Sequence, residues 1–600
     1  MTDDTKADLR LSRRQFVGTA AAGAVAIGAL AGASSLSPHI ATMPATGGVK
    51  VLNASGGANA ASTVPLKAQG IPSTWDYSAD VVVVGYGASA SCAAIAAADA
   101  GASVMILEKA PKVWAHGDSN VFGGGIGILN NDPVWVPTYL SPTWIAEVKQ
   151  ETAGTWSDSE LQILHDAFQD LPWWLNGLGV KAHGGHATGN GPGLMGTLTS
   201  QVQQRGIPVM YETPATDLVQ DPSTKEILGV VAQTGITWTR AYVCDPNYEG
   251  GTEIYVKANK GVVLATGDYC NNPEMVGAFN LPALYVPTVG GPYNTGDGHK
   301  LAMGVGCDLW HFADGFEHQW YGFKVPSRLY GTAIGWLPTV PDEYNPPGHS
   351  YIFVDRYGKR FTNEERTHNH DRSPLDAYYY RGDNGLSWTV HGYPHSPMWL
   401  ICDQNYINSG PIGGPNLAAR DPPQTGNDME FNEVRKIYVW SKDNSAELAQ
   451  GWIFQASTIA QLAAVTTGTD WYGNTYSPDP VGLAATITQF NANCASGSDT
   501  NFGDPTIEGA VTQRPASTLQ PIVNPPFYAA ELMMSSAYAM GGPKHTVAGQ
   551  VVNVKGVGIP RLYVAGNVGN YEWLKNGGME AACATGRIAG TSAAALESRE

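Results

Sequence analysis

Residues 80–90, Asp-Val-Val-Val-Val-Gly-Tyr-Gly-Ala-Ser-Ala, decide the fold of this 600-residue chain. The run of four valines predicts a buried parallel strand. Gly85 permits a tight turn after it, Gly87 lets a pyrophosphate approach the backbone, and Ala90 allows close helix–strand packing. The Ala-rich segment 91–100 predicts a helix whose N-terminus offers N–H groups and the positive dipole end to phosphate. The stretch therefore predicts a dinucleotide-binding site.

A second predicted strand, Ser103–Leu107, follows the helix and ends at Glu108. This acid lies about 20 residues beyond the glycines, where a carboxylate accepts from ribose hydroxyls. Two glycines alone would be weak evidence, because turns of many kinds use glycine. The alternative is an ordinary βαβ turn without a nucleotide, but strand, glycines, helix, second strand and terminal acid together favour the dinucleotide site.

The composition limits the classes of function. Six hundred residues suffice for two or three domains with a sizeable core. The formal charge of −18 argues against binding to nucleic acid or to an anionic membrane surface. The seven cysteines form no CxxC or CxxCH spacing, so we expect no zinc site, thioredoxin motif or c-type haem, and no metal ligands.

The N-terminus has the pattern of a targeting segment. Residues 12–17, Ser-Arg-Arg-Gln-Phe-Val, precede an Ala- and Gly-rich apolar run over 18–32. This pattern is typical of a twin-arginine export signal, and the run is too short and Gly-rich for a membrane span. We expect a signal peptide over 1–33, export to the periplasm or the outer face of the cytoplasmic membrane, and no transmembrane anchor after cleavage. Residues 34–75 predict a linker.

Strands with the composition of a buried parallel sheet occur at both ends of the mature chain. Gly261–Asp268 reads Gly-Val-Val-Leu-Ala-Thr-Gly-Asp, and Ile559–Asn567 ends in a similar Val-Ala-Gly-Asn. Because both resemble strands of one sheet, we predict an α/β fold with a discontinuous, Rossmann-like domain and a second domain inserted into it. The predicted bounds are 76–284 and 522–600 for the two parts and 285–521 for the insert.

Further motifs occur in order between about residues 76 and 590. They are FGGG at 122–125, VVLATGD at 262–268, NTGDGHKLAMGVG at 294–306, GKRFTNEE at 358–365, NPPFYA at 524–529, MGG at 540–542, LYVAGN at 562–567 and NGG…GRIAG at 576–590. With these motifs the chain resembles the FAD-dependent fumarate reductase and 3-ketosteroid Δ1-dehydrogenase superfamily. The resemblance implies a tightly held FAD and an inserted α+β domain that caps the flavin. Because His116 is two residues away from the position of the flavin-linked His of succinate dehydrogenases, we expect non-covalent binding.

The resemblance and the glycine-rich loops together assign a set of flavin contacts. Asn567 should contact the ribityl chain, and the helix that begins at residues 576–578 should direct its N-terminus to the flavin N1/O2 edge. A positive dipole end there stabilises anionic reduced flavin. The predicted cofactor-binding residues are Gly85, Gly87, Ala88, Ser89, Ala90, Glu108, Lys109, Ser119, Gly123, Gly124, Gly125, Ala265, Thr266, Gly267, Asp268, Asn294, Asp297, Gly566, Asn567, Gly577, Gly578 and Met579.

The substrate site departs from the family pattern. His368 stands where fumarate reductases carry a proton-donating Arg and ketosteroid dehydrogenases a Tyr, and a histidine can serve either role near neutral pH. Tyr538 stands where fumarate reductases keep a His for the substrate carboxylate. Tyr571 and Lys575 lie in the loop that carries their substrate-binding Arg. We expect His368 and Tyr538 to transfer protons, and Tyr571 or Lys575 to polarise a substrate carbonyl.

Other assignments stay open at the substrate site. Arg366 and Arg372 are alternatives to the histidine if the loop register differs, and His318 falls near another carboxylate-binding His of the family. Loss of the loop Arg removes a bidentate carboxylate clamp, which argues against a small dicarboxylate. An enone, a steroid-like compound or an aromatic unsaturated compound suits the Tyr, Trp and Lys side chains better.

The sequence therefore predicts an FAD-dependent oxidoreductase that acts on a carbon–carbon bond adjacent to a carbonyl or carboxyl group. Hydride would pass at flavin N5 and a side chain would transfer the proton, in alkene reduction or in ketosteroid-type dehydrogenation. No haem or iron–sulfur spacing occurs, so a separate electron-transfer protein or a quinone would exchange the electrons. The alternatives are a fumarate-reductase-like reductase of unsaturated carboxylates and a non-catalytic flavin electron-transfer module.

Overall fold

The computed structural model describes most of the chain beyond the N-terminal segment. The described residues are 70–120, 143–151, 155–183, 186–188, 190–240, 247–279, 291, 293–312, 316–324, 332–333, 350–361, 364, 395–413, 440–470, 474–501, 519–569 and 578–599. All of them lie within one compact unit that spans residues 68–600. In this part of the chain, no helix has both the length and the apolar character needed to cross a membrane.

Helices and strands are interspersed along the described residues. The helices are α1 (Ala88–Asp99), α2 (Trp144–Glu151), α3 (Asp158–Gly177), α4 (Asn190–Gln204), α5 (Pro273–Phe279), α6 (Asp297–Gly304), α7 (Gln404–Asn408), α8 (Ser445–Ala449), α9 (Ile459–Val465), α10 (Pro480–Ser496) and α11 (Gly578–Ala594). The strands are β1 (Tyr77–Val84), β2 (Val104–Leu107), β3 (Ala182–His183), β4 (His186–Ala187), β5 (Val209–Met210), β6 (Ala215–Gln220), β7 (Ile227–Arg240), β8 (Asn247–Leu264), β9 (Leu309–Trp310), β10 (Phe316–Phe323), β11 (Thr332–Ala333), β12 (Tyr351–Asp355), β13 (Met398–Asp403), β14 (Ile453–Ala456), β15 (Gly468–Thr469), β16 (Thr475–Tyr476), β17 (Phe527–Ala539), β18 (Gly542–Pro543), β19 (Gln550–Val552) and β20 (Gly558–Val564).

The first sheet has β1 near its centre and takes strands from both ends of the chain. Its order is β19-β20-β8-β1-β2-β5, with β7 also paired to β8 and β6 to β7. The pairs of β1 with β2 and β8, of β2 with β5 and of β8 with β20 are parallel. This confirms the parallel sheet that the valine run predicts.

Both faces of β1 are buried, which explains its unbroken run of valines. Val81 and Val83 share a cluster with α1, α3 and α11, whereas Val82 and Val84 share another with β7, β8 and α6. A strand covered on one face only would alternate apolar and polar residues. The unbroken run of valines therefore indicates a sheet with other elements packed on both of its faces.

Two glycines let α11 approach α1 at backbone distance. A Cβ on Gly586 would lie 2.2 Å from the carbonyl oxygen of Ser89, and one on Gly590 would lie 2.1 Å from that of Ala93. No side chain fits at such distances. The Gly586 to Gly590 spacing in GRIAG thus fixes the C-terminal helix against the helix that begins at the glycine-rich turn.

The second sheet is antiparallel and has the order β11-β10-β17-β13-β12, with β14 also paired to β17. Strands β12 and β13 are buried along their whole length. One cluster on this sheet includes side chains of α9 and α10, and another includes those of α5. The helices on this antiparallel sheet give it the mixed α and β content expected of the insert.

Strand β17 and helix α6 do not follow the predicted domain bounds. The strand β17, at 527–539, is central in the second sheet although the sequence placed it beyond the insert's end at 521. Helix α6 lies within the predicted insert of 285–521, yet Leu301 and Ala302 pack with Val82 of the first sheet. Apolar patterning indicates that a segment is buried, but it does not identify the sheet that buries it.

Candidate functional site

The turn after β1 has the backbone geometry that the glycine motif predicts. Gly85 has φ +103°, and a Cβ at this residue would lie 2.3 Å from the carbonyl oxygen of Ala265 at the end of β8. Helix α1 follows with Gly87 as its N-cap, no side-chain cap from that residue and no acidic residue in its first turn. This arrangement fits the diphosphate of a dinucleotide, because phosphate binds at an open helix N-terminus beside a close backbone approach.

A second loop lies against this turn. The Ser119 hydroxyl accepts a hydrogen bond from the backbone N–H of Ala88 at 2.9 Å, in a short 3₁₀ turn over Gly117–Asn120. His116, just before the turn, has φ +84° and donates from Nδ1 to the carbonyl oxygen of Tyr86 at 2.8 Å. Its Nε2 lies 3.4 Å from the Thr199 hydroxyl, and burial lowers the pKa of this histidine. Ser119 therefore lies at the glycine-rich turn of residues 85–90.

Glu108, the predicted ribose acceptor, directly follows β2. Its carboxylate is buried and accepts from the backbone N–H of Ala110 at 2.6 Å. Burial raises the pKa of Glu108 to about 7. This hydrogen bond and the positive charge of Lys109 lower the pKa, but by less than burial raises it. The group can therefore change its protonation state near neutral pH.

The Lys109 ammonium is paired within the protein. Its Nζ lies 2.7 Å from Asp297 Oδ2 and 2.6 Å from the Thr295 hydroxyl. Burial alone would raise the pKa of Asp297, but Lys109 and the Thr295 hydroxyl hold this pKa below its usual value. Both residues were predicted to contact the cofactor, and they contact each other at the start of α6.

A buried amide joins three of the predicted loops. Asn294 donates from Nδ2 to Asp118 Oδ2 at 2.7 Å and to Asp268 Oδ2 at 3.1 Å. Asp268 has no solvent exposure, and burial raises the pKa of its carboxyl group. Nearby, the Thr266 hydroxyl accepts from the backbone N–H of Gly298. The loops after β2, after β8 and before α6 thus meet at one edge of the first sheet.

The C-terminal motifs reach the same edge. The backbone N–H of Gly566, after β20, donates to the Thr585 hydroxyl at 3.0 Å. A Cβ on Gly566 would lie 2.7 Å from the Ser89 hydroxyl, so this turn touches the first turn of α1. Asn567 follows in the same turn, and Gly578 opens α11.

Most of the predicted cofactor residues therefore converge, and others cannot be placed. The predicted residues that meet at the carboxyl edge of the first sheet are Gly85, Gly87, Ala88, Ser89, Ala90, Glu108, Lys109, Ser119, Ala265, Thr266, Gly267, Asp268, Asn294, Asp297, Gly566 and Asn567. Gly578 and Met579 lie in the first turn of α11. Those outside the described residues are Gly123, Gly124, Gly125 and Gly577.

Of the predicted catalytic residues, only Tyr538 lies within the described part of the chain. It is the second-last residue of β17, is 4% exposed and pairs with Glu317 of β10. The next residue, Ala539, donates its backbone N–H to Asp268 Oδ1 at 3.2 Å. The strand end that carries Tyr538 therefore contacts the predicted cofactor site. His368, Tyr571 and Lys575 lie outside the described residues.

Sequence reasoning missed Glu580, in the first turn of α11. Its side chain is 4% exposed, and burial raises its pKa to about 8. Within the described residues, its Oε2 has no hydrogen-bond partner. The available signal was a carboxylic acid directly after the Asn-Gly-Gly-Met motif, but no local pattern indicates that this side chain is buried.

We predict that FAD affinity depends on pH through Glu108. Ribose hydroxyls donate most strongly to an ionised carboxylate, and protonation of Glu108, whose pKa is about 7, turns one of its two oxygens into a donor. Affinity should be full above about pH 7 and fall by up to about 10-fold per pH unit below it. Titration of apoprotein with FAD from about pH 5.5 to about pH 8.5 measures this slope. Glu108→Gln should flatten it, and an equal slope in this variant would exclude the residue.

Comparison with known proteins identifies similar sequences and folds. A family described as FAD binding domain matches residues 80–585. The chain is 26% identical over 587 residues to the 3-oxosteroid 1-dehydrogenase of Mycobacterium tuberculosis (strain ATCC 25618 / H37Rv), with 82% of this chain and 92% of that protein covered. It is 26% identical over 516 residues to the vinyl phenol reductase of Lactiplantibacillus plantarum (strain ATCC BAA-793 / NCIMB 8826 / WCFS1), with 81% and 89% covered.

A solved structure shares the fold. The 3-ketosteroid delta1-dehydrogenase from Sterolibacterium denitrificans, in complex with 1,4-androstadiene-3,17-dione, superposes with a TM-score of 0.61. Its sequence is 20% identical, and the match covers 86% of this chain and 99% of that one. At this identity the likeness shows a common fold and nothing more.

Proposed function

Because this chain belongs to the FAD binding domain family, whose match spans residues 80–585, we propose that it is an oxidoreductase of unsaturated carbonyl compounds. It binds FAD and acts on a carbon–carbon bond next to a carbonyl or carboxyl group. The observation that carries the proposal is the bond between Ala539 and Asp268, which brings the end of β17 to the flavin-binding edge. Tyr538 directly precedes Ala539 in the chain, which supports its proposed role in proton transfer.

Different residues at the sheet edge bind different parts of FAD. Bound FAD supplies hydride chemistry at its N5 atom. The turn at Gly85–Ala90 and the N-terminus of α1 hold the diphosphate, and Glu108 accepts from the ribose. Asn567 contacts the ribityl chain, and the N-terminus of α11 faces the N1/O2 edge of the flavin.

We also infer a finer architecture and a non-covalent cofactor. The first sheet is the core of a discontinuous, Rossmann-like domain, and the second sheet belongs to an α+β domain that caps the flavin. Both ring nitrogens of His116 face protein oxygens, those of Tyr86 and Thr199, which supports binding without a histidine–flavin bond.

Four candidate side chains from different parts of the sequence complete the reaction. Tyr538 and His368 transfer the proton at the carbon next to the one that exchanges hydride. Tyr571 or Lys575 polarises the substrate carbonyl and stabilises the enolate charge that develops. The same groups serve alkene reduction and, in reverse, dehydrogenation.

The substrate is a flat unsaturated compound with a carbonyl or phenol group. The names of two relatives specify a 3-oxosteroid and a vinyl phenol, and both descriptions suit the Tyr- and Lys-bearing loop of this chain. Export through the twin-arginine signal of residues 1–33 places the reaction in the periplasm or on the outer face of the cytoplasmic membrane. A separate redox protein or a quinone exchanges electrons with the flavin there.

Anaerobic flavin reoxidation tests this function. The bound flavin is reduced and mixed with enones such as 4-androstene-3,17-dione, with cinnamates, with vinyl phenols and with fumarate. We expect an enone or a vinyl phenol to restore oxidised flavin, whereas free reduced FAD with the same compound stays reduced. Reoxidation by fumarate or a cinnamate alone would support the reductase of unsaturated carboxylates. Reoxidation only by quinones or redox proteins would contradict catalysis and support the electron-transfer module.

A further inference from the structure

Three successive backbone groups at the end of β17 are each bonded by one buried side chain. We call these three side chains the strand clamp. The bonds are Ala539 N–H to Asp268 Oδ1 at 3.2 Å, Tyr269 O–H to the Met540 carbonyl at 2.6 Å, and His299 Nε2–H to the Gly541 carbonyl at 2.9 Å. All three side chains have no solvent exposure. Three side chains from outside the second sheet therefore restrain the backbone where the chain leaves β17.

The clamp comes from two elements that are themselves fixed. Asp268 and Tyr269 lie in the loop that follows β8, and His299 lies in the first turn of α6. The rings of Tyr269 and His299 meet edge to face at 5.3 Å, and both contact Phe312. Because the clamp side chains support one another, they hold their bonds in one arrangement.

The protonation of the clamp follows from its partners. A carbonyl oxygen only accepts, so His299 carries its proton on Nε2. Burial lowers the pKa of His299 to about 4, and the ring is neutral at physiological pH. Asp268 also accepts from the backbone N–H of Cys270 at 2.6 Å, which fixes its carboxylate relative to β8.

We propose that Asp268, Tyr269 and His299 are positioning residues that fix the end of β17 and so set the orientation of Tyr538. The inference rests on the proposed function, in which Tyr538 transfers a proton. Such transfer needs heavy atoms within about 2.6–3.2 Å. A displacement of about 1 Å can cost about 100-fold in rate. The clamp begins at the residue after Tyr538, so it restrains the backbone that directs this side chain.

Tyr269→Phe removes one clamp bond and little else. We expect kcat for the best substrate of the reoxidation panel to fall about 10-fold, while KM and FAD affinity change less than about 2-fold. Amide hydrogen exchange in the peptide that spans residues 538–542 should rise about 10-fold. Tyr528→Phe is the matched control, because Tyr528 is also a buried tyrosine of β17 and its hydroxyl bonds Gln404 instead. The control should keep both kcat and exchange at 538–542.

Substitutions at His299 separate positioning from general support of the fold. His299→Gln places an amide donor near the former Nε2, whereas His299→Ala leaves the Gly541 carbonyl without its donor. We expect His299→Gln to recover most of the kcat that His299→Ala loses, with the same flavin spectrum in both variants. Equal losses in the two would count against the bond to Gly541 as the cause.

The results separate the clamp from the function on which it rests. Faster exchange with unchanged kcat in Tyr269→Phe would overturn the positioning role, and unchanged exchange would overturn the clamp itself. If the wild-type protein reoxidises with no compound of the panel, the proposed function fails. Amide hydrogen exchange at residues 538–542 in Tyr269→Phe then tests by itself whether the three side chains restrain the end of β17.

Discussion

Gly85→Ala should abolish FAD binding. The residue has φ +103°, a conformation that an L side chain rarely adopts, and its Cβ would lie 2.3 Å from the Ala265 carbonyl. That carbonyl follows directly on β8, whose parallel pairing with β1 ends at Val84 and Leu264, so it cannot retreat without disturbing the sheet. We expect FAD affinity to fall at least about 100-fold, equivalent to about 2.8 kcal/mol. Titration of refolded apoprotein with FAD, followed by flavin fluorescence, measures the loss.

Gly101→Ala is the control that separates the effect of backbone strain from the effect of the steric clash with Ala265. Gly101 follows α1 with φ +84°, but a Cβ there would meet no atom within 4 Å. This variant should lose about 1–2 kcal/mol of unfolding free energy to the left-handed conformation and bind FAD like the wild type. Wild-type FAD affinity in Gly85→Ala would show that the turn after β1 is not the diphosphate site.

Tyr538→Phe should reduce turnover about 100-fold or more, the usual scale for loss of an acid–base group. The residue is buried in β17 and directly precedes Ala539, the first residue that the strand clamp bonds. The substitution removes only the hydroxyl group. The flavin spectrum and FAD affinity should stay unchanged, because the cofactor residues are untouched. Single-turnover reoxidation of reduced flavin by the best substrate of the panel measures the effect on the chemical step.

Two comparisons make the result for Tyr538 specific. Tyr528→Phe on the same strand should keep wild-type turnover, since this tyrosine hydroxyl bonds Gln404 away from the cofactor edge. A wild-type rate in Tyr538→Phe would remove the residue from proton transfer and leave that role to His368 or to its alternatives, Arg366 and Arg372. A lower rate with a changed flavin spectrum would instead indicate a disturbed cofactor site.

The local motifs predicted the strand and turn around Gly85 because their geometry is encoded in adjacent residues. The valine run, Gly85 and Glu108 belong to one short βαβ unit, and steric limits on each residue specify its conformation. Convergence of Ser119, Asn294 and Gly566 on that unit was predicted from the resemblance rather than from their own spacing. The structure joins Ser119 and Gly566 to their neighbours by side chain–backbone bonds and Asn294 by bonds between side chains.

The contacts missed from the sequence are those between distant segments. Tyr269 and His299 bond a strand more than 200 residues away, and no local pattern specifies such a partner. The strand β17 reads as a buried segment, but its sheet is fixed by pairing with β10 and β13. Glu580 resembles an ordinary acid near a helix start until the fold buries it.

The flavin content of the purified chain tests the central claim most directly. We predict about one FAD per chain, as one dinucleotide turn implies, released by denaturation without a covalent bond to the protein. Absorbance of the folded protein, followed by chromatography of the released cofactor, gives both quantities. Colourless protein that takes up no flavin during incubation with FAD would contradict the account.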